Sequence, residues 1–398
     1  MRSKKLKIFE IHNSSTALAN GLSQIIYNLS FSPNLEVLDI SRTTSNTTET
    51  VISLYKLLKI SASVEVLLAQ NVAGLNPALV KEFWVSLGEC KSLRILDLAF
   101  SGDLSSKRTE LGNAIAFNAK KKGILEYMNL TNCISGSNTL NDVYKGMCIS
   151  EYDEERIYGD PNKAAKMIAS NYIAEYYNNL RALQISRCSS INPSFNLSHF
   201  KQLHRKEDPN LVKLIARSQN LTNISVSGNG MSKSFAEILV LALDPSREHF
   251  KSKIQVLDLS KNNMGKEGIK ALAEVLPRNH ILEVLDLSKN QMGVSGANEL
   301  AQALKGNKSL TMLNLFNNKI GYDGAKALAE KVIISHPRLE CLEIGHNRIR
   351  DKGIMSITDA IIANKDSQLK ILGIRFNFIT NNGATYMYNK LTSNKNRI

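Results

Sequence analysis

Apolar positions return on a fixed beat through residues 254–332, and this stretch sets the frame for the whole chain. Three segments, IQVLDLSKNNMGKEGIKALAEVL, LEVLDLSKNQMGVSGANELAQAL and LTMLNLFNNKIGYDGAKALAEKV, begin at Ile254, Leu282 and Leu310, a step of 28 each time. Each reads L-x-x-L-x-L-x-x-N-x-φ-G-x-x-G-x-x-x-L-A, with φ apolar. In the first copy Leu257 and Leu259 alternate with Val256 and Asp258, which predicts a short strand with one buried face. Asn262 falls where the chain must turn, and its amide is expected to bond orphan backbone groups of that turn and of the next copy. Gly265 and Gly268 suit a tight path into a helix. Ile269, Leu272, Ala273 and Leu276 then recur at i, i+3, i+4 and i+7, the stripe of an amphipathic helix. One such unit cannot bury its apolar face alone, whereas stacked copies can.

Weaker copies continue the frame in both directions. Upstream, Leu6, Leu35, Val64 and Leu93 start copies 29 residues apart. Their helices are expected at Leu18, Leu22 and Ile25, at Val51, Leu54, Tyr55 and Leu58, at Val80, Phe83, Trp84 and Leu87, and at Leu111, Ala114 and Ile115. Copies then start at Leu125, Leu180 and Leu221, with steps of 32, 55 and 41. Two surplus stretches, about 135–161 and 189–208, account for most of the excess and are expected to be loop insertions leaving the same edge. Cys133 and Cys188 hold the asparagine position of the two copies that precede them, where each reads as a buried structural thiol. Downstream, copies start at Leu339 and Leu369. The expectation is one continuous solenoid over residues 1–398, about twelve repeats, of α/β class. Neither end shows the polar capping unit that solenoids usually carry, so the ends are expected to dock on a partner or to continue in a longer polypeptide.

The consensus read off the three strong copies resembles the leucine-rich repeat family, and specifically its ribonuclease-inhibitor-like class with 28–29-residue repeats. The resemblance implies a horseshoe with parallel strands on the concave face and helices on the convex face. Repeat length and array size are also similar to those of the Ran GTPase-activating proteins, which implies an alternative role as a GTPase regulator. An acidic tail follows the array in that family, whereas this sequence runs to Lys395-Asn-Arg-Ile.

Composition adjusts this picture in three ways. The formal net charge is +14, and the basic convex face and ends therefore suit an acidic partner. The five cysteines are scattered with no pairing framework, which points to a reducing, intracellular setting. No apolar run follows the basic start, so neither a signal peptide nor a transmembrane segment is expected. The sequence has no G-x-x-x-x-G-K-[ST], no C-x-x-C, no H-E-x-x-H and no G-x-S-x-G. No catalytic residue, cofactor or metal ligand is therefore nominated. Aromatic–basic interleaving of the kind nucleic-acid modules use is missing too, so neither nucleic acid nor a membrane is expected as a partner.

What remains is surface. On each strand the residue after the second leucine should face outward, and this column (Glu10, Asp39, Asp97, Asn129, Gln184, Asp258, Asp286, Asn314, Glu343) leans acidic. The column before it is apolar, with Val66, Ile95, Tyr127, Val256, Val284, Met312, Cys341 and Ile371. A partner-binding stripe is expected at Tyr127, Val256, Asp258, Val284, Asp286, Met312, Glu343, His346, Arg375 and Phe376. The insertions add Tyr152, Tyr158, Phe195 and Phe200 as further candidates. The functional expectation is a non-enzymatic protein-interaction scaffold within a multi-subunit intracellular assembly. By analogy with the family, the assembly is cytoplasmic or cytoskeletal, including a cilium or axoneme.

Overall fold

A computed structural model describes residues 6–11, 19–43, 48–72, 79–99, 101, 108–120, 123–133, 180–184, 215, 218, 220–230, 233–246 and 252–394. They form two compact units that divide between Thr222 and Asn223. Both expected insertions, and the candidates Tyr152, Tyr158, Phe195 and Phe200 within them, lie outside the described residues.

Each repeat frame yields a strand of three residues, beginning two residues after the copy starts. The N-terminal unit contains β1 (Ile8–Glu10), β2 (Val37–Asp39), β3 (Val66–Leu68), β4 (Ile95–Asp97), β5 (Tyr127–Asn129) and β6 (Ala182–Gln184). The C-terminal unit contains β7 (Asn223–Ser225), β8 (Val256–Asp258), β9 (Val284–Asp286), β10 (Met312–Asn314), β11 (Cys341–Glu343) and β12 (Ile371–Gly373). Within each unit consecutive strands pair in parallel and in chain order. Pairing joins equivalent repeat positions, such as Val256 with Val284 and Met312 with Cys341. This is a leucine-rich repeat solenoid architecture with all twelve expected strands in place.

Helices return the chain from one strand to the next. In the N-terminal unit they are α1 (Ala19–Leu29), α2 (Thr48–Ile60), α3 (Val80–Glu89) and α4 (Arg108–Lys120). In the C-terminal unit they are α5 (Lys233–Leu243), α6 (Gly265–Val275), α7 (Gly293–Leu304), α8 (Gly321–Leu328), α9 (Arg350–Ala363) and α10 (Asn381–Ser393). Consecutive helices pack side by side within each unit. The consensus leucines fill the space between strands and helices: Leu257, Leu285, Leu313 and Leu342 are fully buried, as are Leu272, Leu300 and Leu328. Each such side chain contributes about 2–3 kcal/mol of apolar burial. Two expected helix positions need correction. Ile26, not Ile25, is the buried partner of Leu22 on α1, and Leu57 joins Leu54 and Leu58 in the core where Tyr55 is half-exposed. Both are shifts within a single turn, which apolar spacing alone does not separate.

The two consensus glycines do different work. Gly265, Gly293 and Gly321 sit at φ of +64°, +64° and +62°, a left-handed conformation that glycine adopts without penalty. The second glycine lets neighbouring helices approach: a Cβ on Gly324 would sit 2.9 Å from the Cβ of Ala297 on α7. No side-chain cap is present on α6–α9. Instead the first-turn N–H of Gly265, Gly293 and Gly321 donates to the carbonyl of Asn290, Asn318 and Asn347 in the following repeat, at 2.9–3.0 Å. Each helix start is thus completed by the next copy.

The asparagine column corrects one expectation. The Asn290 amide donates to Leu287 O of its own turn at 3.0 Å and to Leu259 O of the preceding repeat at 2.9 Å. Its oxygen accepts the Asn262 N–H at 3.1 Å. The side chain therefore reaches back to the previous copy, not forward to the next. The acceptor is the carbonyl at the sixth position of the preceding repeat, just after its strand, which faces the following turn. Asn262, Asn318, Asn347 and Asn377 repeat the same pair of donations. Cys133 stands in this column in the N-terminal unit, fully buried, with its thiol donating to Leu98 O. This is the structural role expected of it. Cys188 lies outside the described residues.

One residue is added between the strands β10 and β11, whose copies start 29 apart against 28 before them. It is absorbed as a π-helical turn over Ala329–Ile333 directly after α8. Among the described residues no helix is long and apolar enough to cross a membrane.

Candidate functional site

Charges at strand starts pair with one another across the ladder in both units, as Lys370 and Glu340 do at 2.9 Å in the C-terminal one. In the N-terminal unit Lys7 meets Glu36 at 2.7 Å, and Arg94 lies between Glu65 at 3.3 Å and Glu126 at 3.4 Å. Asp97 and Asn129, expected to face outward, are buried. The Asp97 carboxylate accepts from Gln70 at 2.7 Å and Asn129 at 3.0 Å, which closes that face over. Tyr127 is half-buried here on β5, and burial, with the Asp97 charge, pushes its phenol pKa up. It is not among the residues that gather in the C-terminal unit.

The C-terminal unit builds a more open surface. In its apolar column Val256, Val284 and Cys341 are half-buried, while Met312 is 39% exposed and Ile371, on the last strand, is 61% exposed. The acidic column beside it is held from below. Asp258 accepts from the Ser225 hydroxyl at 2.6 Å and the Ser260 N–H at 2.9 Å. Asp286 accepts from the Ser288 N–H at 2.7 Å and the Asn314 amide at 2.8 Å. Burial nonetheless pushes the Asp286 carboxyl up, aided by the Asp258 charge and opposed by those hydrogen bonds. Glu343 accepts the Gly345 N–H at 2.6 Å.

Beyond these columns the pattern breaks. Ser260 and Ser288 occupy the position after the third leucine in their repeats, but the next three repeats place Phe316, Gly345 and Arg375 there. The Arg375 guanidinium lies 5.1 Å from the Phe316 ring centroid, and the Lys289 ammonium lies 6.0 Å from it on the preceding repeat. His346 stands 5.8 Å from Phe316 and 6.4 Å from Phe376. Arg375 also approaches Glu343 at 3.9 Å. Gly345 makes room for this group: a Cβ there would lie 2.9 Å from the Phe316 ring and 3.0 Å from Arg375 Cγ. Gly345→Ala is expected to push the ring off its seat and lower the thermal midpoint by about 2–4 °C, a cost near 1 kcal/mol. Calorimetry reads the cost, and a crystal structure of the variant reads the ring.

These residues line an open cavity of about 420 Å³. Met312, Cys341 and Ile371 supply an apolar floor, with Phe316 as one wall. Lys261, Lys289 and Arg375 supply cations along its edge, and Asn314 and Glu343 supply polar groups. Of the residues anticipated from sequence, Met312, Glu343 and Arg375 line it directly, while His346 and Phe376 flank it. Val256, Asp258, Val284 and Asp286 continue the same columns on β8 and β9. Sequence reasoning missed Phe316, Lys261 and Lys289. Phe316 was detectable as the first break in a run of serines, and the lysines as a repeated L-S-K-N. Among the described residues no group of three or more histidine, cysteine, aspartate or glutamate side chains is arranged to hold a metal.

Comparison with known proteins bears on the fold. A family model described as "Leucine Rich repeat" matches residues 251–273, 278–301, 306–329 and 336–357, four successive copies in the frame of β8–β11. Residues 251–357 are thus leucine-rich repeats. Search of curated proteins returned no match. Among solved structures the chain is similar to leiomodin-1 actin-binding site 2, at 25% identity over 33% of this chain and 74% of that one, TM-score 0.29. It is similar to the Caenorhabditis elegans tropomodulin C-terminal domain at 21% identity, covering 33% and 78%, TM-score 0.28. It is also similar to yeast Rad7, solved in complex with Elc1, at 17% identity over 93% and 86%, TM-score 0.45. The four matched copies and the parallel strand ladder bear out the expected repeat fold, and leucine-rich repeats as a class are protein-interaction scaffolds.

Proposed function

We propose that this protein is a non-enzymatic interaction scaffold, a subunit of a larger assembly, and that it contacts its partner through the strand face of the C-terminal unit. The observation behind this reading is the mixed apolar and cationic cavity on that face. Strand-start charges pair in both units, as Lys7 does with Glu36 and Lys370 with Glu340, but in the C-terminal unit Met312, Phe316 and Ile371 gather with Lys261, Lys289 and Arg375 around one open cavity. Exposed apolar area framed by polar groups is characteristic of contact surfaces. The narrower reading places the assembly at the cytoskeleton.

Crosslinking mass spectrometry in native extract tests the proposal. Lys261 and Lys289 should form crosslinks to one or a few recurrent partner chains. Recovery of the uncomplexed chain alone, or crosslinks confined to the helical face, would overturn it. Cosedimentation with actin filaments and microtubules tests the cytoskeletal placement. Stimulated GTP hydrolysis by a Ran-type GTPase would replace the scaffold reading with the regulatory one.

A further inference from the structure

We propose that the strand face of the C-terminal unit takes an acidic peptide segment bearing one bulky apolar side chain, with the acid on Lys261 and Lys289 and the apolar group on the Met312–Phe316–Ile371 floor. This rests on the scaffold reading and adds to it the chemistry of the partner.

The sign of the partner's charge follows from which groups on the face are already engaged. Asp258, Asp286 and Glu343 each accept a hydrogen bond from their own turn, and Asp258 and Asp286 accept a second from the neighbouring strand. Each oxygen of the two aspartates thus already holds one protein donor. The cations are in the opposite state. Among the described residues no carboxylate lies within ion-pair distance of the Lys261 or Lys289 ammonium, and both side chains are exposed at the cavity edge. Arg375 at the far side is already shared between Glu343 and the Phe316 ring, so it acts as a wall. The two lysines, in successive repeats, form the anion-binding end.

The apolar requirement follows from the floor. Ile371 is 61% exposed and Met312 is 39% exposed, and Phe316 lines the same cavity with the Lys289 ammonium 6.0 Å from its ring. A wholly polar acidic ligand would leave these groups wet, and an apolar ligand without acid would leave the lysines unmatched. The size of the occupant comes from the ladder. The cavity runs from Lys261, just after β8, to residues of β12, four strand spacings of about 4.8 Å or ~19 Å in all. An extended chain advances about 3.3 Å per residue, so the face holds a segment of about six residues. Three sequential lining elements thus call for acid first, then a spacer of about two residues, then a large apolar side chain.

A phage-displayed library of random dodecapeptides selected on the full chain tests this. The expected result is enrichment of Asp or Glu two to four positions from Phe, Leu or Ile. A fluorescein-labelled enriched peptide should lose at least about tenfold in affinity on K261E/K289E and by a similar factor on Phe316→Ala, and should weaken with added salt. The double lysine variant alters two exposed side chains, and circular dichroism and an unchanged thermal midpoint confirm that it folds. Enrichment of basic or purely polar sequences overturns the inference. So does a selection yielding no consensus, binding indifferent to both variants, or displacement of the peptide by a single-stranded RNA dodecamer at comparable concentration. None of these four outcomes removes the scaffold reading, which stands or falls on the native crosslinks.

Discussion

Asn318→Ala is expected to cost the C-terminal unit about 2–4 kcal/mol, read as a lowered midpoint in urea titration or calorimetry. The side chain is fully buried and makes bonds on both sides of its turn. Its oxygen accepts the Asn290 N–H at 2.9 Å, and its amide donates to Leu287 O at 2.8 Å and Leu315 O at 3.1 Å. Alanine orphans the Asn290 N–H outright, whereas each carbonyl retains a bond from the neighbouring asparagine of the column. A buried donor without a partner costs about 1–3 kcal/mol, and the weakened carbonyls add to it. Lys270 is exposed on α6, and Lys270→Ala should change stability by less than about 0.5 kcal/mol. Equal losses at the two positions would mean that the column does not hold successive repeats together.

His336→Asn should stabilise the protein, and by more as the pH falls. A second polar column runs along the turns from helix to strand. Asn279 accepts from Ile281 and Leu282 N–H and donates to Leu243 O. Asn307 accepts from Ser309 and Leu310 N–H and donates to Leu276 O. His336 takes the next place. Its Nδ1 accepts from Arg338 at 3.3 Å and Leu339 at 3.0 Å, so Nε2 carries the proton, yet that atom is buried with no hydrogen-bond partner. Asparagine would retain the acceptor and supply the missing donation to the carbonyl of Leu304. That change is worth about 1–2 kcal/mol at pH 7.5.

The pH dependence has a definite sign. Burial lowers the His336 pKa from 6.5 to about 4. Above pH 6.5 the ring is neutral in both folded and unfolded chains, and its titration adds nothing to the cost of the unpartnered donor. Between pH 6.5 and about 4 the unfolded chain takes up a proton that the folded one refuses, so stability falls as pH falls. Below about pH 4 both states are protonated and the loss stops growing. The difference between variant and parent should therefore widen by roughly 2–3 kcal/mol from pH 7.5 to pH 4. A gap that stays constant across this range would show that the imidazole is hydrated in the native state.

These two columns also show how far the sequence speaks. Asn262, Asn290 and Asn318 recur at one position of the repeat, and periodicity alone places them at the turn. The direction of their bonds did not follow from periodicity, because a repeat looks the same toward either neighbour and only the ladder's register breaks that symmetry. The strands were legible for the same reason that they are short: Leu257, Leu285 and Leu313 leave no other phase in which their apolar face is buried. The binding surface was half legible. Met312 and Glu343 sit in columns that strand alternation turns outward, while Phe316 and the lysines belong to the turn after the strand, where alternation no longer applies. Net charge gave no position: it suited cations on loops, helices and ends alike, and Lys261 and Lys289, in the turns after their strands, line the cavity.

The widened turn at Ala329–Ile333 bears on how such an array tolerates change. An added residue there swells one coil on the outside and leaves Met312 opposite Cys341 and Asn318 opposite Asn347. An insertion of one residue is thereby converted from an error of phase into a local bulge on the helical side. A single winding can be lengthened in this way while the strand face keeps its spacing.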